Sequence, residues 1–495
     1  MVDKIGIGIV FALYLLSMLA VGSLFFRKTQ NLSDYFLGGR KLNSWVTSLS
    51  AQASDMSGWL LLGLPGLAYL TGIGEAFWVA LGLAIGTYLN WKFISVRLRK
   101  YTQIAGDSLT LPDYFENRFK DNTKILRVSS ALIILIFFLI YTAAQFVAGA
   151  KLFHTVFGIP YLTGLIVGAV VIVGYTFLGG FLAVCWTDFI QGMLMFFALI
   201  IVPVSAVIFL GGPANTVEKL KLVDSNFVNI LFAPGGKRLS AMTIVSSLAW
   251  GLGYFGMPHI LVRFMAIKSS SQIKKARKIA MVWVVMTLCA AVLVGITGRV
   301  YLTKELQGNM SETVFMVMVN QMFPTFVAGV LLAAILAATM STADSQLLVT
   351  ASAISQDFYK ALLRKSASDK ELLWIGRLTV ILVSVIAFLM ALNPDRSVYR
   401  LVAYAWAGLG AAFGPTIILS LFWKRMNKQG AFAGILTGGI TVLIWKQLQG
   451  GIFDMYEIVP GFIVSIIFIV AVSLFTQPPI KEIQEEFDSV NVAEV

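Results

Sequence analysis

Apolar residues in this chain come in long unbroken runs, with neither the period-2 alternation of half-buried strands nor the spaced stripe of a surface helix. A bilayer core demands roughly 20 apolar residues per helix, and runs of about that size recur along the whole length. Their extents are Ile5–Phe26, Trp45–Leu70, Glu75–Val96, Leu126–Phe153, Tyr161–Ala183, Phe189–Leu210, Ala241–Ile267, Ala280–Leu302, Pro324–Ile354, Leu372–Leu392, Val398–Trp423, Ala431–Leu448 and Ile458–Phe475. The pattern predicts an all-α polytopic membrane protein of about 13 transmembrane helices. Met1 to Lys4 lead directly into the first run with no basic n-region or small-residue cleavage site, so this segment is expected to remain as a helix.

The placement of Lys and Arg tests that count, because cytoplasmic loops collect positive charge. Alternating sides at each run puts Arg27, Lys28, Arg40, Lys41, Arg97, Arg99, Lys100, Arg118, Lys120, Lys124 and Arg127 on one face. The same face receives Lys268, Lys274, Lys275, Arg277, Lys278, Lys360, Arg364, Lys365, Lys370, Lys424, Arg425 and Lys428. The other keeps mainly Lys219, Lys221, Lys237, Arg238, Lys304 and Arg396. This arrangement predicts an external N-terminus, a cytoplasmic C-terminus and insertion in the plasma membrane. The formal net charge of +13 is then read as orientation in the lipid bilayer, not as a nucleic-acid surface. The acidic tail from Glu482 reads as a solvated extension. Apolar residues make up 58% of the 495 and charged ones 13%, too little polar surface for one large water-soluble globule. Cys185 and Cys289 lack the spacing of a disulfide framework or thiolate metal site and read as core residues.

A charge or a break inside a membrane helix calls for a reason. In the second run, Ser50-Ala51-Gln52-Ala53-Ser54-Asp55-Met56-Ser57-Gly58-Trp59 places Asp55 near mid-membrane among hydroxyls and small residues. Such residues form local side-chain turns and let a helix unwind, which frees carbonyls. A carboxylate, hydroxyls and freed carbonyls suit a hard cation such as sodium. Asp55 could also cap the second half-helix, and the two roles coexist. The seventh run holds Trp250-Gly251-Leu252-Gly253-Tyr254-Phe255-Gly256-Met257-Pro258-His259, three glycines and a proline that argue against continuous helix. Its G-x-G-x-x-G follows no strand, so a dinucleotide fingerprint is excluded by context. Trp250 and Tyr254 suit the walls of a pocket for an organic solute, with core packing the alternative. Two breaks five runs apart match a transporter built from inverted repeats. In the ninth run, Ala337-Ala338-Thr339-Met340-Ser341-Thr342-Ala343-Asp344-Ser345 adds hydroxyls that could complete an oxygen site. His154 and His259 form no metal motif, and Asp188 and Arg263 lie near the inner ends of their runs, where snorkelling or a gate would each suffice.

Through Asp34-Tyr35-Phe36-Leu37-Gly38-Gly39-Arg40, Ala53-Ser54-Asp55-Met56-Ser57-Gly58-Trp59, Trp250-Gly251-Leu252-Gly253-Tyr254-Phe255-Gly256 and Met340-Ser341-Thr342, the chain resembles the sodium/solute symporter family over nearly its whole length, and within it the proline-carrying branch. The resemblance implies a leucine-transporter-type core of 5+5 inverted repeats, with L-proline and Na+ as partners and no further cofactor. It implies sodium held by the Ala53, Met56 and Ala338 carbonyls and the Ser341 and Thr342 hydroxyls, with Asp55 essential to cation binding. Tyr141, Trp250, Tyr254 and Pro258 would line the proline site, with Ser57 and Trp59 nearby, and Asp188 and Arg263 would act at the inner gate. Met257 stands where the family leads one to expect glutamine.

The organisation expected is a first helix and interfacial segment (1–44), a first repeat (45–210), an external loop (211–240), a second repeat (241–423), two additional spans (424–476) and a cytoplasmic tail (477–495). A membrane-embedded enzyme is the rival class, but the chain carries no G-x-S-x-G, H-E-x-x-H or P-loop. A transporter-like sensor would carry a signalling domain, for which the tail is too short. Oligomeric state is not set by the sequence.

Overall fold

The computed structural model describes residues 3–26, 32–178 and 180–492; Arg27, Lys28 and the last three residues of the tail lie outside these. Backbone polar groups in hydrocarbon must be satisfied within their own segment, and the described residues are helical almost throughout, with only two isolated β-bridges, Leu42 to Ile267 and Phe232 to Arg238. Nine helices among the described residues are each long and apolar enough to cross a membrane. The thirteen-span expectation draws on four further segments: two interrupted ones and the helices Tyr161–Leu178 and Lys428–Trp445.

The first interruption falls where hydroxyl and small residues gather. Ser44–Leu61 and Gly63–Thr71 follow one another in one direction, but Ser57 has φ 48° and ψ −174°, a region essentially reserved for glycine. The joint is held by Gly58 N–H donating to Gln145 Oε1 at 3.1 Å and Trp59 N–H donating to Ser57 Oγ at 3.1 Å. Asn43 caps the start, accepting from the amides of Trp45 and Val46. In the second interruption, Ala241–Leu248 tightens into a 3₁₀ stretch over Ala249–Gly256, and the helix restarts at Pro258–Ala266. Proline at the first position of a helix removes a donor that would be unpaired there anyway. The glycines let other backbones come close: a Cβ on Gly86 would collide with the backbone of Gly251, and one on Gly256 with Gly410 and Gly414.

The core sits where Ser44–Leu61, Phe181–Phe209, Ile273–Tyr301 and Thr325–Ser352 pack together, with Ile125–Phe157 and Val398–Phe422 completing the surround. Thr325–Ser352 is buried over most of its length, as is Ser44–Leu61; the run of alanines in Thr325–Ser352 lets neighbours approach on every side. Lys4–Phe26 packs against it from outside and shows an apolar, exposed outer face.

Two expectations change. Cys185 is buried, but Cys289 is exposed on the outer face of Ile273–Tyr301; a helix apolar on all sides gives no periodicity from which to tell a lipid-facing position from a core one. The tail is not solvated throughout. Lys481–Val492 forms a helix that buries Ile483, Phe487 and Val490, because its apolar residues recur at three- and four-residue spacing within an acidic stretch. Lys120 pairs with Glu486 at 2.9 Å and Lys424 with Asp488 at 2.5 Å. The Arg97 and Arg118 guanidiniums lie 4.8 and 5.4 Å from the Phe487 ring. Basic residues assigned to one face from the sequence thus meet the C-terminal helix on a common side.

Candidate functional site

The joint at Ser57 leaves the preceding turn facing the hydroxyls of Thr325–Ser352. Ser341 Oγ donates to the Ala53 carbonyl at 2.9 Å and to the Ala338 carbonyl at 3.3 Å. Thr342 Oγ1 donates to the Ser54 carbonyl at 2.9 Å and to that of Ala53 at 3.4 Å. The approach is close because both helices carry small residues there: a Cβ on Gly58 would lie 3.2 Å from the Thr339 methyl and 3.0 Å from Ala148. Carbonyl and hydroxyl oxygens from two helices therefore share one buried spot, the donor chemistry that suits a hard cation. Ala53, Ala338, Ser341 and Thr342 come together as the sequence leads one to expect.

The Asp55 carboxylate points elsewhere. It is buried, and its Oδ2 accepts from the Tyr254 hydroxyl at 2.7 Å, tying the first interrupted segment to the glycine-rich break of the second. The Asp55 carbonyl accepts from the Tyr141 hydroxyl at 3.2 Å. A cavity at this junction is lined by Asp55, Met56, Trp59, Tyr141, Trp250 and Tyr254, together with Leu83, Val402 and Trp406. Trp59 and Trp250 lie with ring centroids 5.1 Å apart, and Trp250 packs against Tyr399 at 5.3 Å and Tyr456 at 5.5 Å. Tyr254 meets Trp406 edge to face at 5.2 Å. Aromatic walls around a few directed polar atoms are the composition of a small-solute pocket. Ser57 sits at the joint itself. Pro258 is on the other side of the break, lining a separate cavity with Arg263 and Asp357.

Asp188 and Arg263 are brought together. They form a fully buried ion pair at 3.1 Å, surrounded by hydroxyls: Ser50 and Ser54 each donate to Asp188 Oδ2, and the guanidinium donates to Ser50, Ser54 and Ser345. Arg263 also donates to the His259 carbonyl at 2.7 Å. A buried pair is tolerable only when further bonds occupy its remaining donors and acceptors, and the serines supply them. His259 is fully buried against the rings of Phe138 and Tyr141. His154 Nδ1 donates to the Ile159 carbonyl at 2.7 Å.

Sequence reasoning gave no role to several of these residues. Trp406 donates to the Trp250 carbonyl at 2.8 Å and so holds the 3₁₀ stretch; isolated aromatics in an apolar helix carry no signal of this. Glu312, paired with Lys151 at 2.5 Å, accepts from the amides of Val398 and Tyr399 and from the Ser397 hydroxyl. It caps the helix that presents Tyr399. A single acidic residue between two apolar runs is not distinctive, although an intramembrane Lys at position 151 is a signal that its partner should be sought.

Residues 35–438 match the sodium:solute symporter family. The chain is 49% identical over 484 residues to the sodium/proline symporter of Escherichia coli (strain K12), spanning 97% of this chain and 95% of that protein. It is 47% identical to the high-affinity proline transporter PutP of Bacillus subtilis (strain 168), across 95% of this chain and 98% of that one. The osmoregulated proline transporter OpuE of the same organism is also 47% identical, over 95% and 94%. Among solved structures, a substrate-bound, outward-open Na+-coupled sialic acid symporter superposes with a TM-score of 0.79 at 20% identity, covering 96% of this chain and 98% of that one. MhsT in complex with L-phenylalanine gives 0.54 at 14% identity, over 87% and 97%. These likenesses establish the leucine-transporter-type fold.

Proposed function

Because the chain belongs to the sodium:solute symporter family, we propose that it imports L-proline with sodium by alternating access across the bacterial plasma membrane, its N-terminus outside and its C-terminus cytoplasmic. It is a transporter and not an enzyme. The observation that carries the proposal is the meeting of two interrupted membrane segments at Asp55 and Tyr254, directly after the Ala53 and Ser54 carbonyls already engaged by Ser341 and Thr342.

In this reading residues 45–210 and 241–423 are the inverted repeats. Sodium, as cargo, is held by the carbonyls of Ala53, Met56 and Ala338 and the hydroxyls of Ser341 and Thr342. Asp55 offsets its charge while its bond to Tyr254 fixes the pocket wall. Proline, a compact ring with a charged end, rests against Trp59, Tyr141, Trp250 and Tyr254, with Ser57 at the joint and Pro258 on the exit side. The Arg263–Asp188 pair closes the inner path. Sodium entering from outside also moves with an inside-negative potential, a contribution of about 2.3 kcal/mol per charge per 100 mV.

The test is uptake of labelled proline into proteoliposomes by the native protein and by Asp55→Asn. The expected result is uptake that needs an inward sodium gradient in the native protein and is lost in the variant while its membrane level is unchanged. Uptake by the native protein that proceeds equally without sodium and without any ion gradient would defeat the proposal.

A further inference from the structure

A groove opens on the outer flank of the helices and shares no lining residue with the cavity at Asp55 and Tyr254. Its mouth is formed by Ser271, Gln272 and Lys275 beside Trp45 and Phe189, and it continues between Met193, Phe196, Val282 and Trp283, with Lys278 on its edge. The two stretches adjoin, sharing Trp45 and Met193. Its walls are almost wholly apolar beyond the mouth. On a helix rising 1.5 Å per residue, the step from Lys278 to Val282 corresponds to about 6 Å of apolar wall beyond the last charge.

Polar features gather at one end only. Lys275 and Lys278 are exposed and have no ion-pair partner among the described residues, and they stand in the basic run Lys274-Lys275 and Arg277-Lys278. Trp45 is 51% exposed, and amphipathic aromatics of this kind favour the membrane–water boundary. A free anion would meet the lysines but leave the apolar channel to water, and a neutral lipid would fill the channel but leave the lysines unmatched.

We propose that this groove is a binding site for one anionic phospholipid, its phosphate headgroup between Lys275 and Lys278 and an acyl chain along Met193, Phe196 and Val282. The groove borders the inner half of the first interrupted segment. Ser48 Oγ donates to the Ala276 carbonyl at 2.7 Å, and Trp283 donates to the Gly192 carbonyl at 3.0 Å, so the lipid seals the seam between the interrupted helix and Ile273–Tyr301. The proposal requires the bilayer and the groove and is independent of which solute is carried.

Native mass spectrometry of the purified full chain, titrated with phosphatidylglycerol or with phosphatidylcholine of the same acyl composition, tests it. Surface lysines favour anionic lipid by about 5-fold each, so the native protein should retain phosphatidylglycerol well over phosphatidylcholine. Lys275→Gln with Lys278→Gln should lower the preference by up to about 25-fold, and Lys219→Gln with Lys221→Gln, exposed on another helix, should leave it unchanged. Val282→Trp should lower retention of both lipids with the charges intact. Equal retention of the two lipids by the native protein, an undiminished preference in the 275/278 pair, equal loss in the 219/221 pair, or full retention by Val282→Trp would each overturn the site. Because the readout is binding, failure here leaves sodium-driven uptake untouched, and failure of uptake leaves this result standing.

Discussion

Replacing Thr342 by valine removes one hydroxyl and keeps the shape. In the structure that hydroxyl donates to the carbonyls of Ser54 and Ala53 at 2.9 and 3.4 Å. Its loss therefore costs something with or without sodium, and only the difference changes sodium affinity. A neutral hydrogen bond contributes a net ~0.5–1.5 kcal/mol, whereas an oxygen facing a charge contributes ~1.5–3 kcal/mol. The difference, about 1–2 kcal/mol, corresponds to a rise of about 5- to 30-fold in the sodium concentration that half-saturates uptake. The assay is initial-rate proline uptake in proteoliposomes over a sodium series, with proline half-saturation measured again at saturating sodium. Proline half-saturation should return close to the native value once sodium is saturating. An unchanged sodium dependence in a well-folded Thr342→Val protein would refute the assignment of this hydroxyl to the cation site, as would a purely proline-side defect.

Arg263→Met strands Asp188 as an unpaired carboxylate in the interior, so the detergent-solubilised protein should lose about 3–5 kcal/mol of stability; the double variant with Asp188→Asn should recover most of it, and thermal melts of the three proteins decide. Gly86→Ala drives a methyl into the backbone of Gly251, and overpacking of this kind costs about 1–3 kcal/mol, so a lower melting temperature and slower uptake are expected, and an unaltered melt would contradict the close approach. Phe487→Ala removes the ring on which Arg97 and Arg118 rest, whereas the exposed pairs of Lys120 and Lys424 contribute at most about 1 kcal/mol each. A glutamate-specific protease should therefore cut after Glu485 and Glu486 faster in Phe487→Ala than in Lys424→Gln; equal rates would show that the docking is electrostatic.

The architecture was legible because hydrocarbon is an unforgiving solvent: runs of bilayer length and the one-sided placement of Lys and Arg are hard to produce otherwise. The breaks were legible for the same reason, since Asp55 and the glycines around Tyr254 are disfavoured in an unbroken span. What the sequence left open is direction. It associated Asp55 with Ser341 and Thr342 in one oxygen site, yet the carboxylate turns to Tyr254 while the carbonyls of Ala53 and Ser54 turn to the hydroxyls. Residues one or two apart on a helix point to different neighbours, and no spacing rule says which. Cys289 went astray because every face of its helix is apolar. Ser50 and Ser54 were read as hydroxyls that loosen the helix around Asp55 and Ser345 as one of a cluster that could complete an oxygen site, and only the three-dimensional packing makes them partners of the Arg263 guanidinium.

Ser54 belongs to two bond networks at once. Its carbonyl meets Thr342, and its hydroxyl meets Asp188, Arg263 and Ser345. A few covalent bonds of a single residue separate these two attachments, so a displacement of one is transmitted to the other with almost no slack. If an arriving cation draws that carbonyl toward itself, the tug is felt at the Arg263–Asp188 pair, the proposed inner gate, through a lever one residue long, and on that proposal occupancy and unlocking become two readings of the same small movement.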